Sequence, residues 1–172
     1  SNSQDKKITE PVLTGTFLSP GLTYEIPVGK LTTIKFRAAM EAGFSYASGI
    51  IVGPRYSFSF IPTLTGEYRY YYNIEKRMKA NKNSRYNSAN YFAAVAKYGT
   101  SYTTYHMEDG STLKTTTQNT NAGIVWGLQR NYRNRFSVDF NIGPSLLYPL
   151  LFEEFGFIGN LTLGIRLGKQ TE

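Results

Sequence analysis

Few side chains in this sequence are equipped for catalysis. His106 is the only histidine among 172 residues, and cysteine is absent. Thiol chemistry and disulfides are therefore excluded, and a lone histidine gives no metal-ligand spacing. A lipid-hydrolysing Ser–His pair would draw on Ser101 or Ser111, the serines near His106 in the chain. The plainer reading of His106 is a solvated side chain at a loop end. We expect no enzyme, no metal and no cofactor.

Two other groups of charged residues are better placed to act. Glu25, Lys35, Arg37, Glu41, Glu67, Arg69, Lys97, Asp139 and Arg166 all fall on the polar parity of alternating segments. They are four acids and five bases among Ser, Thr, Gly and Asn, a balance that suits a closed interior where charges must be paired. Such a set either lines a conduction path or plugs it. An eight-stranded barrel is just wide enough for side chains to fill, so we expect a plug. The second group is Lys76, Arg77, Lys79, Lys82 and Arg85, with Tyr86 and Tyr91 nearby as possible stacking platforms for a nucleic acid. Because this segment joins two long strands, we expect a surface for lipid headgroups, peptidoglycan or another protein, and no nucleic acid. A loop that is merely solvated is the competing reading.

The elements that hold these residues follow from a period of two. In residues 32–46, TTIKFRAAMEAGFSY, the apolar side chains Ile34, Phe36, Ala38, Met40, Ala42, Phe44 and Tyr46 share one parity, and Lys35, Arg37 and Glu41 share the other. Alternation sustained this long specifies a two-faced strand. It recurs with Leu18, Leu22, Tyr24, Ile26 and Val28 before a Gly29–Lys30 turn, and with Tyr56, Phe58, Phe60, Leu64, Tyr68, Tyr70 and Tyr72. Further runs carry Phe92, Ala94, Ala96, Tyr98 and Tyr102; Ile124, Trp126 and Leu128; Phe136, Val138, Phe140 and Ile142; and Phe157, Leu161, Leu163, Ile165 and Leu167. Turns are expected at Asp109–Gly110 and Arg133–Asn134. That gives seven strands, and residues 8–16 supply a short eighth. Residues 73–90 break the rhythm and read as a helical turn followed by a polar loop. The connections at the opposite end, residues 47–54, 109–110 and 149–154, are short.

Which face meets water is decided by composition and by order along the strands. Charged residues are 18% of the chain, below the roughly 25% usual in soluble domains, while aromatics reach 15% with 14 Tyr and 11 Phe. Such a chain would struggle to cover a water-facing exterior. Tyr24, Tyr68, Tyr70, Tyr72, Phe92, Tyr132 and Phe136 fall toward the Gly29–Lys30 end of the strands. Phe44, Tyr46, Tyr56, Phe58, Tyr102, Tyr148, Phe155 and Phe157 fall toward the other. Ala38, Met40, Leu64, Ala94, Ile124, Phe140 and Leu161 lie between. Two aromatic bands around an aliphatic waist are the pattern of an outer-membrane barrel. The uncharged stretch 141–152 contains Gly and two Pro, unlike a spanning helix. The formal net charge of +7 is concentrated in the 75–85 segment.

Two segments also carry a resemblance. EYRYYYNIEKRMKANKNSRYNSANYFA, residues 67–93, and VWGLQRNYRNRFSVDFNIG, residues 125–143, resemble strand–loop–strand stretches of small outer-membrane β-barrel proteins from Bacteroidetes-type bacteria. The family is mostly undefined in function, so the resemblance implies an outer-membrane barrel and no catalytic residues.

The expected fold is all-β: an antiparallel up-and-down transmembrane β-barrel of eight strands with a polar, side-chain-filled lumen. One domain occupies residues 8–168, with a flexible segment at 1–7 and a tail at 169–172. The start, SNSQDKK, reads as the remnant of a cleaved signal peptide or as a cloning scar. The expected function is a non-enzymatic barrel of the cell outer membrane with a structural or accessory role, as a subunit of a larger envelope complex. Its partners would be outer-membrane lipid and other envelope proteins met through the basic loop or the barrel wall. The alternatives are an outer-membrane lipid-modifying enzyme and a soluble barrel that binds a small hydrophobic ligand.

Overall fold

The computed structural model describes residues 8–47, 55–148 and 155–168. The terminal segments 1–7 and 169–172 and most of the connections expected at 47–54 and 149–154 lie outside the described residues. Eight antiparallel strands close into a barrel in sequence order: β1 (Val12–Thr16), β2 (Gly21–Pro27), β3 (Thr32–Ala47), β4 (Arg55–Tyr70), β5 (Asn90–His106), β6 (Thr112–Asn131), β7 (Phe136–Tyr148) and β8 (Phe155–Leu167). Every strand pairs with its chain neighbour, and β1 pairs with β8 to complete the ring.

The apolar parity faces outward. Leu64 is 61% exposed and Ile124 65%, and Phe36, Tyr68, Phe92 and Tyr102 are exposed with them. The opposite parity, Lys35, Arg37, Glu67, Arg69 and Asp139, is buried inside. Barrel closure requires the strands to lean. Stepping from Phe136 to its register partner Ile165, then through Gly15, Leu22, Ala38, Leu64, Tyr98 and Thr120, returns to β7 at Tyr148, twelve residues along. This stagger tilts the strands steeply around a lumen of side-chain width.

Local chemistry sets the turns. The N–H groups of Val28 and Gly29 both donate to the Thr32 carbonyl, at 3.0 and 3.2 Å, closing the β2–β3 turn. At the β5–β6 turn the Ser111 N–H and hydroxyl both donate to the Asp109 carboxylate, and Gly110 takes φ 81°, a left-handed conformation that favours glycine. These hydrogen bonds hold the exposed Asp109 carboxyl below its usual range.

Two sequence expectations change. The strand expected to include Leu18 starts only at Gly21, because Phe17–Pro20 form a turn closed by the Thr16 hydroxyl donating to the Ser19 carbonyl at 2.6 Å; Pro20 also lacks the N–H that a ladder needs. The lumen is not polar throughout. Tyr71, Tyr91, Ala93, Val95, Val125 and Ile158 form an apolar cluster with Ile74 and Ala89 of the loop between β4 and β5.

Candidate functional site

The lumen charges separate into two groups and one outlier. Toward the end of the barrel that carries the β2–β3 turn, Arg69 of β4 is fully buried and reaches side chains of β5, β6 and β7. Its Nε donates to Glu67 at 2.6 Å, Nη2 to Asp139 at 2.7 Å and Nη1 to Gln129 at 2.6 Å, while the guanidinium lies 4.0 Å over the Tyr91 ring. Asp139 also receives Lys35 Nζ at 2.5 Å and the Tyr91 hydroxyl at 2.7 Å. Glu25 has no cation among its bonded partners. It accepts from the Tyr71 hydroxyl at 2.6 Å, Thr33 at 2.7 Å and Gln129 Nε2 at 3.2 Å.

Together these side chains plug the lumen. The space left among Glu25, Lys35, Gln129, Asp139 and Thr162 is about 10 Å³, room for about one water.

Farther along the barrel, Lys97 donates to both Glu41 oxygens at 2.9 and 2.7 Å, and Arg37 Nη1 lies 3.4 Å from Glu41. This second group is looser. Arg37 is 5% exposed, yet its Nε and Nη2 have no hydrogen-bond partner. Neither, among the described residues, does the hydroxyl of Thr65, the register partner of Arg37 on β4. Arg166 belongs to neither group. It sits at the rim, where Nη2 donates to the Tyr132 carbonyl at 2.6 Å and the guanidinium stacks 3.7 Å over Tyr86.

The basic segment is a folded cap. It contains α1 (Ile74–Lys79) and a 3-10 turn at Arg85–Asn87, with Tyr86 and Asn87 both at positive φ, 54° and 61°. Non-glycine residues hold such conformations only where their surroundings fix them, and here they do. The Tyr86 carbonyl accepts from Gln129 Nε2 at 3.2 Å and Asn131 Nδ2 at 2.6 Å. Asn87 exchanges two hydrogen bonds with the Glu10 backbone, at 2.8 and 2.9 Å. Ser88 bonds the Asn131 backbone in both directions, and Ile74, Asn87, Ser88 and Ala89 are fully buried. Lys30 bridges to Glu75 at 2.9 Å and holds its carboxyl below the usual range.

Lys76, Lys79, Lys82 and Arg85 remain exposed on this cap, and Arg77 donates to the Asn83 carbonyl. An open cleft of about 980 Å³ separates the cap from the β6–β7 turn, lined by Lys82, Arg85, Tyr86, Tyr132, Arg133 and Arg166 among others, with no acid. Tyr86 and Tyr91 are not stacking platforms. One is covered by Arg166 and the other points into the lumen.

Among the described residues no hydrogen bond joins His106 to Ser101 or Ser111. His106 ends β5 exposed, level with Thr112 and Tyr56; Ser101 bonds Thr103, and Ser111 bonds Asp109. Among the described residues no cluster of His, Asp and Glu could hold a metal.

Sequence reasoning missed Tyr71, Tyr91 and Gln129 as parts of the plug. A usable signal existed for Tyr91, which shares the parity of Lys97 and faces Gly127 on β6. A Cβ at Gly127 would lie 2.4 Å from the Tyr91 ring, so the glycine makes room for the phenol to cross the lumen. No family model, no curated protein and no solved structure matches the chain.

Proposed function

We propose that the chain is an integral, non-enzymatic β-barrel of the bacterial outer membrane, of the Bacteroidetes-type family that residues 67–93 and 125–143 resemble. Its role is structural or accessory, within a larger envelope assembly. The observation that carries this reading is inverted polarity. Paired charges fill the inside, while Phe36, Leu64, Ile124 and Leu161 stand exposed on the outside, where only a hydrocarbon phase or a partner relieves the hydrophobic penalty. The side chains packed around Arg69 and Asp139 argue against an open pore and against a ligand at that level of the lumen.

The cap end faces the periplasm in this reading. Its exposed lysines and arginines contact anionic headgroups or an acidic envelope partner, through charge that salt screens. Fractionation tests the proposal: the protein should partition with outer membranes and, in detergent, migrate differently on gels before and after boiling. Recovery as a soluble monomer without detergent refutes it.

A further inference from the structure

Among the described residues the barrel wall is lower on one side than elsewhere. The β1–β2 hairpin is short, and its turn ends partway up the barrel. The last ladder bonds beside it run from the Met40 N–H to the Pro20 carbonyl at 2.8 Å and from the Phe17 N–H to the Leu163 carbonyl at 3.1 Å. Beyond these points β3 continues through residues 41–47, and β8 begins eight residues before Leu163. Neither stretch has a strand beside it on this side among the described residues. The open edges are therefore roughly 23 Å on β3 and roughly 26 Å on β8 at 3.3 Å per residue.

The backbone groups aimed into the gap follow from alternation. Ala42, Phe44 and Tyr46 share the direction of Met40, and Phe157, Gly159 and Leu161 share that of Leu163. Hydrocarbon cannot satisfy a ladder of N–H and C=O groups, and open sheet edges do not persist facing lipid. Arg37 on β3 pairs in register with Thr23 near the top of β2, and its Nε and Nη2 have no hydrogen-bond partner among the described residues.

We propose that this gap receives a β-hairpin from another polypeptide, with an acidic side chain turned inward to meet Arg37. The inference rests on the membrane reading above. Two strand places are vacant, because β1 and β2 fill two places lower in the same wall. β3 runs toward the gap end and β8 runs back from it, so a hairpin inserted turn-first lies antiparallel to both edges. Its turn rests on Phe17–Pro20. A carboxylate at Arg37 neutralises the surplus cation of the Arg37–Glu41–Lys97 group.

Hydrogen exchange at the amides of residues 42, 44, 46, 157, 159 and 161 tests this, compared among native membranes, purified protein in detergent micelles, and protein in phosphatidylethanolamine–phosphatidylglycerol vesicles. The expected result is exchange at least about tenfold slower in native membranes than in either purified form. Ala42→Pro removes an N–H that points into the gap and spares the β3–β4 ladder. This variant should still reach the membrane and remain heat-modifiable, yet lose the protection at 157, 159 and 161. Arg37→Gln should reduce that protection as well.

Fast exchange in native membranes overturns the proposal, because the edge amides then meet water with no strand beside them. Equal protection in micelles overturns it in favour of the chain's own loops, or of a second copy if light scattering finds a dimer. Equal protection only in vesicles assigns the gap to lipid. If Ala42→Pro is heat-modifiable but equally protected, the hairpin fails while the membrane barrel stands; loss of heat-modifiability in the unsubstituted protein refutes the barrel itself.

Discussion

Removing the Arg69 guanidinium should destabilise the barrel out of proportion to the loss of one side chain. Among the described residues Glu67 has Arg69 as its only bonded side-chain partner, at 2.6 Å, and it is 5% exposed. Arg69→Met strands that carboxylate, and breaking a buried pair in this way costs about 3–5 kcal/mol. Asp139 suffers less, since Lys35 and the Tyr91 hydroxyl still reach it. Glu67→Gln leaves Arg69 paired with Asp139 and should cost about 1.5–3 kcal/mol, the range of a hydrogen bond to a charged group. With both changes no charge is stranded, so the double variant should be about 2–3 kcal/mol more stable than the two single losses added together. Urea unfolding of protein refolded into lipid vesicles, followed by gel mobility and Trp126 fluorescence, gives all four free energies. Additivity within about 0.5 kcal/mol would refute the coupling.

Three further outcomes follow from the same contacts. Gly127→Ala places a methyl 2.4 Å from the Tyr91 ring and should destabilise by about 1–3 kcal/mol in the same unfolding assay; an unchanged midpoint would mean that Tyr91 does not cross the lumen there. Replacing Lys76, Arg77, Lys79 and Lys82 together by Ser should leave unfolding unchanged and weaken binding to anionic vesicles most at low salt, as read by co-sedimentation; equal binding at every salt concentration would leave the cap without an electrostatic role. Because Lys30 holds the Glu75 carboxyl below its ordinary value, their bridge should persist at neutral and mildly acidic pH and be lost only as pH falls through that depressed value. An NMR titration of Glu75 with a midpoint at or above the ordinary glutamate value contradicts it.

The strands were legible because lumen and exterior differ in chemistry residue by residue. Once Lys35, Arg37 and Glu41 alternate with Ile34, Phe36 and Met40, both the strand and its two faces are specified. The Glu67–Arg69 contact was legible too, since positions two apart on a strand share a face. The Arg69–Asp139 contact was not. It joins β4 to β7 across the lumen and depends on the twelve-residue stagger, which no local pattern encodes. Residues 73–90 read as a helical turn followed by a polar loop, and the helical turn is α1, but the folding of the rest over the barrel was not legible because charged residues dominate its composition. Its anchoring depends on amides and hydroxyls, Asn87, Ser88 and Asn131, whose bonds form only when the loop folds over the barrel mouth. The short β1–β2 hairpin was blurred because Leu18 continues the alternation into a turn, and only Pro20 marks the boundary.

The central claim is that the apolar parity meets hydrocarbon and the polar parity does not. It is tested most directly by spin labels attached at Leu64→Cys and Thr65→Cys, adjacent on β4 with residue exposures of 61% and 9%, in protein reconstituted into lipid bilayers. The account predicts that the label at 64 collides readily with oxygen, which concentrates in hydrocarbon, and hardly at all with a water-soluble nickel chelate, while the label at 65 is shielded from oxygen. A label at 64 that responds chiefly to the nickel chelate would place that face in water and contradict the account.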